Sequence, residues 1–206
     1  MTASDPNPSP RRTDARRNRL ALIAAAAEVF AAQGANAALD TIARAAGVGN
    51  ATMYRHFPTR DAMIEAVLAE RYRELATHAE ELAHAEAADT ALFTWLAEFV
   101  AYIQTFRGLS ELVLATLRDH DSALYASCKA MRTSAAELLT RAQRTGAVRA
   151  DIDASDLFTH AAGIAWAAQH TPTGDPDRTA RLLGVLADGL RHPESRSPQP
   201  HSTFVP

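Results

Sequence analysis

The chain has 206 residues, 47% apolar and 22% charged, an ordinary soluble globular make-up with length for one domain or two small ones. No run of about 18 apolar residues suggests a membrane span, the opening MTASDPNPSPRRT lacks the apolar middle of a secretory signal, and the lone Cys128 rules out a disulfide framework, so a cytoplasmic location is expected. The net charge of -3 hides an asymmetry: residues 1–60 hold eight arginines (11, 12, 16, 17, 19, 44, 55, 60) against four acidic residues, while the rest carries 13 basic and 20 acidic groups, so the first quarter is suited to facing a polyanion.

In chain order, residues 1–13 are rich in Pro, Ser and Arg without an apolar period and read as a disordered basic arm. From about Asp14 to Gln33 a helical stripe of Leu22, Ala26, Val29 and Phe30 emerges, and Gly34 stops it. Short helices are expected at about Leu39 to Ala46, ended by Gly47, and at about Asn50 to Phe57, where Pro58 forbids continuation. Thr59 can cap the next helix, about Arg60 to Leu82, with Asp61 in its first turn and Met63, Ala66, Val67, Glu70 and Leu75 near one side. Further helices are placed at about 89–106, 109–118, 122–145, 155–170 and 176–191, and the tail 192–206, with four prolines, should be disordered. The fold class is therefore all-α with about nine helices. Residues 14–60 are expected to form one three-helix domain and residues 61–191 a second, larger helical domain.

Two short helices across Gly47-Val48-Gly49 make a helix-turn-helix, with Ile42, Ala43, Val48, Met53 and Phe57 as the packing set. That leaves Asn50, Ala51, Thr52, Tyr54, Arg55 and His56 on the outer face or rim. A solvated polar helix rarely needs tyrosine and histidine there. Thr and Asn can bond base edges, Ala51 suits a thymine methyl, and Tyr, His and Arg donate to phosphates.

LALIAAAAEVFAAQG followed by LDTIARAAGVGNATMYRHFPTRDAMIEAV resembles the DNA-binding domain of the TetR family of transcriptional regulators over roughly residues 16–68. GAVRADIDASDLFTHAAGIAWAA resembles the regulatory domains of one actinobacterial-type branch of that family. The resemblance implies an all-α homodimer that binds a palindromic double-stranded DNA operator and releases it when a small molecule enters the second domain. It also implies that Thr52, Tyr54 and His56 lie on the recognition helix, the latter two at phosphates, and that Arg60 opens the fourth helix and grips a phosphate. Gly49 and Asn50 fall where family members vary and sequence choice is made, and Arg44 is a backbone or groove contact or a solvated charge. Two departures stand out: Ala38 replaces the common Ser or Thr cap, at a typical cost of about 1 kcal/mol, and Gly49 replaces a frequent serine. Either Asp40 and Thr41 partly compensate for the missing cap, or that helix is less firmly seated.

For an effector cavity the polar residues among apolar walls are the sharper clue. Phe99, Tyr102, His120, Cys128, Met131, Trp166 and His170 are the candidates, with plain core packing as the alternative for each aromatic. Asp119, His120 and Asp121 are sequence neighbours that point apart on a helix, so no metal or cofactor is expected. For pairing subunits the last two helices are favoured, through Phe158, Ala162, Trp166, Leu182, Leu186 and Leu190, with Gly163, Ala167, Gly184 and Gly189 allowing close approach in a four-helix arrangement. The competing readings are a helical DNA-associating or partner-binding protein without an effector, and an enzyme. For the enzyme, Gly108-Leu109-Ser110-Glu111-Leu112 lacks the second glycine and the strand of a nucleophile elbow.

Overall fold

The computed structural model describes residues 10–84, 87–105, 120–170, 175 and 177–191. Among them the backbone is helical: α1 Pro10–Gln33, α2 Leu39–Ala45, α3 Asn50–His56, α4 Arg60–Leu82, α5 Ala88–Thr105, α6 Ala123–Arg144, α7 Ala154–His170 and α8 Arg178–Leu190. The all-α expectation holds. The helix expected at 109–118, the first nine residues of the arm and the tail 192–206 lie outside the described residues.

α1 begins at Pro10, four residues ahead of the expected Asp14. Proline suits a first helical turn because its fixed φ is already helical and its missing N–H would have no partner there. α1 stays largely exposed until Leu22 enters the core, after which Ala26, Val29 and Phe30 follow on the same stripe. Gly34 ends it at φ +80° and Gly47 ends α2 at φ +67°, a left-handed conformation that a side chain would strain. At α4 the expected cap is present: the Ala62 amide donates to Thr59 Oγ1 at 3.1 Å, with Asp61 in the first turn.

The chain divides into two compact units, Met1–Arg71 with Phe106–Ser127, and Tyr72–Thr105 with Cys128–Pro206. In the first, α1 packs on α2 and α3, with Leu22, Phe30, Ile42, Met53, Phe57 and Met63 almost fully buried. In the second, α5 packs on α7 and α8, which pack on each other. Trp95 anchors that core: it is fully buried, and its indole N–H donates to the Leu75 carbonyl at 2.9 Å. Emptying such a site typically costs about 3–5 kcal/mol. The α6–α7 connection is tied to the end of α8 where the Arg149 amide donates to the Leu190 carbonyl at 2.9 Å.

Candidate functional site

The α2–turn–α3 segment is short, so its shape comes from what it buries. Ile42, Ala43 and Met53 have no exposed surface, Phe57 has 1%, and Val48 is half-buried. The Val48 amide donates to the Ala43 carbonyl at 2.9 Å, closing the turn around Gly47. With Met53 and Phe57 facing inward, a helix of 3.6 residues per turn must turn its remaining positions out. Asn50, Ala51, Tyr54 and Arg55 are exposed, Thr52 and His56 half-exposed, and Gly49 and Arg44 exposed on the approach. Tyr54 is 47% exposed, unusual for a tyrosine with no burial to explain it. Arg19 of α1, which the motif did not single out, lies over the Phe57 ring at 4.6 Å from its centroid and adds a cation beside the end of α3. The arginine run at 11–19 was the available signal for it.

Arg60 is placed differently from the other eight candidates. It is half-buried, and its Nη1 donates to the carbonyls of Ala35 at 2.7 Å and Ala37 at 2.6 Å, in the connection between α1 and α2. Ala38, at the N-cap of α2, makes no side-chain capping bond.

In the second unit a continuous cluster joins aromatic walls to a few polar groups. Trp95 stacks on Phe99 at 5.4 Å, Phe158 meets both edge-on, and the Arg132 guanidinium lies over Phe158 at 4.4 Å. Tyr72 and Tyr102 meet edge-on at 5.4 Å, and both are buried. Burial pushes the Tyr72 hydroxyl up to about 12, with nearby Cys128 adding to the rise and hydrogen bonding to Tyr102 and the Arg132 charge opposing it. Burial likewise raises the Cys128 thiol against the pull of Arg132, so the thiol stays protonated and a poor nucleophile at neutral pH. Phe99, Tyr102 and Cys128 thus share one neighbourhood, and Met131 is buried. His120, exposed and stacked on Tyr125 at 4.4 Å, belongs to the other unit. Tyr72 and Arg132 were not among the candidates, although Arg132 follows Cys128 by four residues and so shares its helix face.

The family model described as bacterial regulatory proteins, tetR family, matches residues 22–67, and that described as transcriptional regulator SbtR-like, C-terminal domain, matches residues 87–192. The chain belongs to the TetR family of transcriptional regulators. A TetR regulator from Streptomyces coelicolor, SCO0520, is similar at 32% identity, covering 85% of this chain and 99% of that one with a TM-score of 0.68. A TetR regulatory protein from Mycobacterium vanbaalenii is 33% identical over 88% and 99% of the two chains, with a TM-score of 0.63. An uncharacterised regulator of the helix-turn-helix type, TtgW of Pseudomonas putida, is 46% identical over 63 residues, 30% of this chain. The chain spans about half, 47%, of that curated relative's length. As in the TetR family generally, the α2–α3 segment is a DNA-binding helix-turn-helix.

Within this TetR-family chain the expected pairing residues divide. Phe158 is 7% exposed and sits in the aromatic cluster, and Leu190 is 7% exposed, so both are used by the monomer's own core. Leu182 and Leu186 are half-buried, while Ala162 is exposed and Trp166 is 64% exposed. Trp166 stacks on His170 at 4.5 Å, and His170 Nδ1 bonds the Trp166 carbonyl at 2.8 Å, so both expected effector residues stand on the outer face of α7 and not in the cluster. Val185, 72% exposed, was not singled out, because one valine in an amphipathic helix carries no mark of the side it faces. Gly163, Gly184 and Gly189 are exposed within helices, and a Cβ on any of them would meet nothing within 4 Å.

Proposed function

We propose that this protein is a ligand-responsive repressor that binds a palindromic operator as a homodimer in the cytoplasm. The observation that carries the reading is the outer face of α3. A helix of seven residues commits Met53 to the core and Phe57 follows it inward, while Asn50, Ala51, Thr52, Tyr54, Arg55 and His56 face outward. In this reading Gly49, Asn50, Ala51 and Thr52 meet base edges, and Arg44, Tyr54, Arg55 and His56 hold phosphates on either side. The exposed arginines of α1 extend the cationic surface.

The proposed homodimer rests on α7 and α8. Glycine costs about 1 kcal/mol against alanine inside a helix, and neither φ nor crowding within the chain demands it at Gly163, Gly184 or Gly189. Close approach by a second copy supplies the reason, with Trp166, Val185 and Ala162 as the apolar surface it would cover. The proposed effector site is the Tyr72, Tyr102, Cys128 and Arg132 group against the Phe99 and Phe158 walls, which combines apolar area with a few orienting polar groups.

Selection from a randomised duplex pool at physiological salt tests the reading. It should recover an inverted repeat whose half-sites face one side of the helix. Recovery of no enriched sequence would overturn the proposal. Among aromatic small molecules that release the operator from wild-type protein, Tyr102→Leu should abolish release and leave operator affinity intact.

A further inference from the structure

The connection from α1 to α2 runs Gly34-Ala35-Asn36-Ala37-Ala38, and four of these residues have no side chain able to hold a loop in place. Its local bonds are Gly34 amide to Phe30 carbonyl at 2.9 Å and Ala37 amide to Gly34 carbonyl at 3.1 Å. α2 then starts with no side-chain cap at Ala38, and the seven residues of α2 are too few to form a stable helix alone. From 25 and 23 positions away, Arg60 Nη1 supplies hydrogen bonds to the Ala35 and Ala37 carbonyls. A charged donor in a half-buried position makes stronger bonds than a neutral one, and the two carbonyls engage both N–H groups of Nη1.

We infer that Arg60 is a positioning residue for operator binding: it seats the entry to α2 in place of the missing cap at Ala38, and through Ile42 and Met53 it aims α3, instead of gripping a phosphate. The inference rests on the operator-binding reading for its functional consequence. The mechanical claim, that Arg60 orders α2, stands separately.

The test uses full-length protein and the duplex that wild-type protein selects from a random pool, titrated from about 50 to about 300 mM salt. Arg60→Ala should lower affinity about tenfold, as loss of charge-assisted bonds would, and leave the slope of log affinity against log salt unchanged. A phosphate contact predicts instead that the slope falls by about 0.9 for each contacted half-site, which would overturn the inference. Installing a cap with Ala38→Ser in the Arg60→Ala background should recover part of the affinity, and no recovery would also overturn it. Arg60→Lys keeps the charge but ends one bond short of the carbonyls. Affinity below wild type with an unchanged slope is expected, and wild-type affinity would contradict the clamp. Amide hydrogen exchange of Leu39–Ala45 should quicken in Arg60→Ala relative to α1. Unchanged exchange would refute the clamp even if wild-type protein selected no sequence.

Discussion

Two surfaces of this molecule expose side chains that a solitary globule would cover, and they differ in chemistry. On α3, Tyr54 stands out beside Arg55, His56, Asn50 and Thr52, a face dense in hydrogen-bond donors. On α7 and α8, Trp166 and Val185 stand out among Ala162, Gly163, Gly184 and Gly189, a face with apolar area and little to donate. Donors and cations suit a polyanion with readable edges, whereas apolar area with backbone close to the surface suits another protein face of the same kind. The tryptophans make the contrast within one unit: Trp95 is fully buried with its N–H satisfied by Leu75, and Trp166 is 64% exposed.

The largest effect should come from breaking the apolar face. Val185→Asp puts a charge at a position 72% exposed in the monomer, so the fold should survive and the dimer should not. Sedimentation should show monomers, and affinity for a palindromic duplex should fall at least about a hundredfold as the gain from two linked sites is lost. A dimer of unchanged stability would assign pairing to another surface. Next, Asn50→Ala should cost about 1–3 kcal/mol at one base-pair position of each half-site and relax preference there, read by repeating selection with the variant. Preference unchanged at every position would remove Asn50 from the reading set. Smaller and sequence-independent, Arg44→Gln should lower the salt slope by about 0.9 per contacted half-site across all duplexes. An unaltered slope would leave Arg44 a solvated charge.

The smallest effect concerns the buried interior. Tyr72 ionises near 10 in an unfolded chain and near 12 here, so the native state keeps the proton longer. Its contribution is fully present below about pH 10 and lost as pH rises toward about 12. Denaturant titrations should therefore show wild type losing stability faster than Tyr72→Phe across that window, and parallel curves would mean that the hydroxyl is not desolvated.

Much of the DNA-binding unit was legible because its signals are local. Pro58, Thr59 and Asp61 fixed the start of α4 to the residue, and the positions of Met53 and Phe57 relative to the turn separated inner from outer face. Less was legible where partners lie far apart in sequence. Arg60 was expected at a phosphate, and nothing beside it in the sequence points to the loop 25 residues earlier whose carbonyls it bonds. Phe158 and Trp166, both on α7, looked alike as apolar residues of a helix expected to pair, yet only folding shows that Phe158 meets Trp95 and Phe99 while Trp166 points away. Proline at position 10 read as part of an irregular arm, whereas it opens α1, since proline both breaks helices and begins them.

The central claim is that paired α3 helices read a two-fold symmetric sequence. Its most direct test is a competition titration of the selected duplex against a scrambled duplex of equal length at physiological salt, with stoichiometry read from the same experiment. The account predicts two chains bound per duplex and a preference of at least about a thousandfold. Equal affinity for the two duplexes, or one chain saturating each, would contradict it.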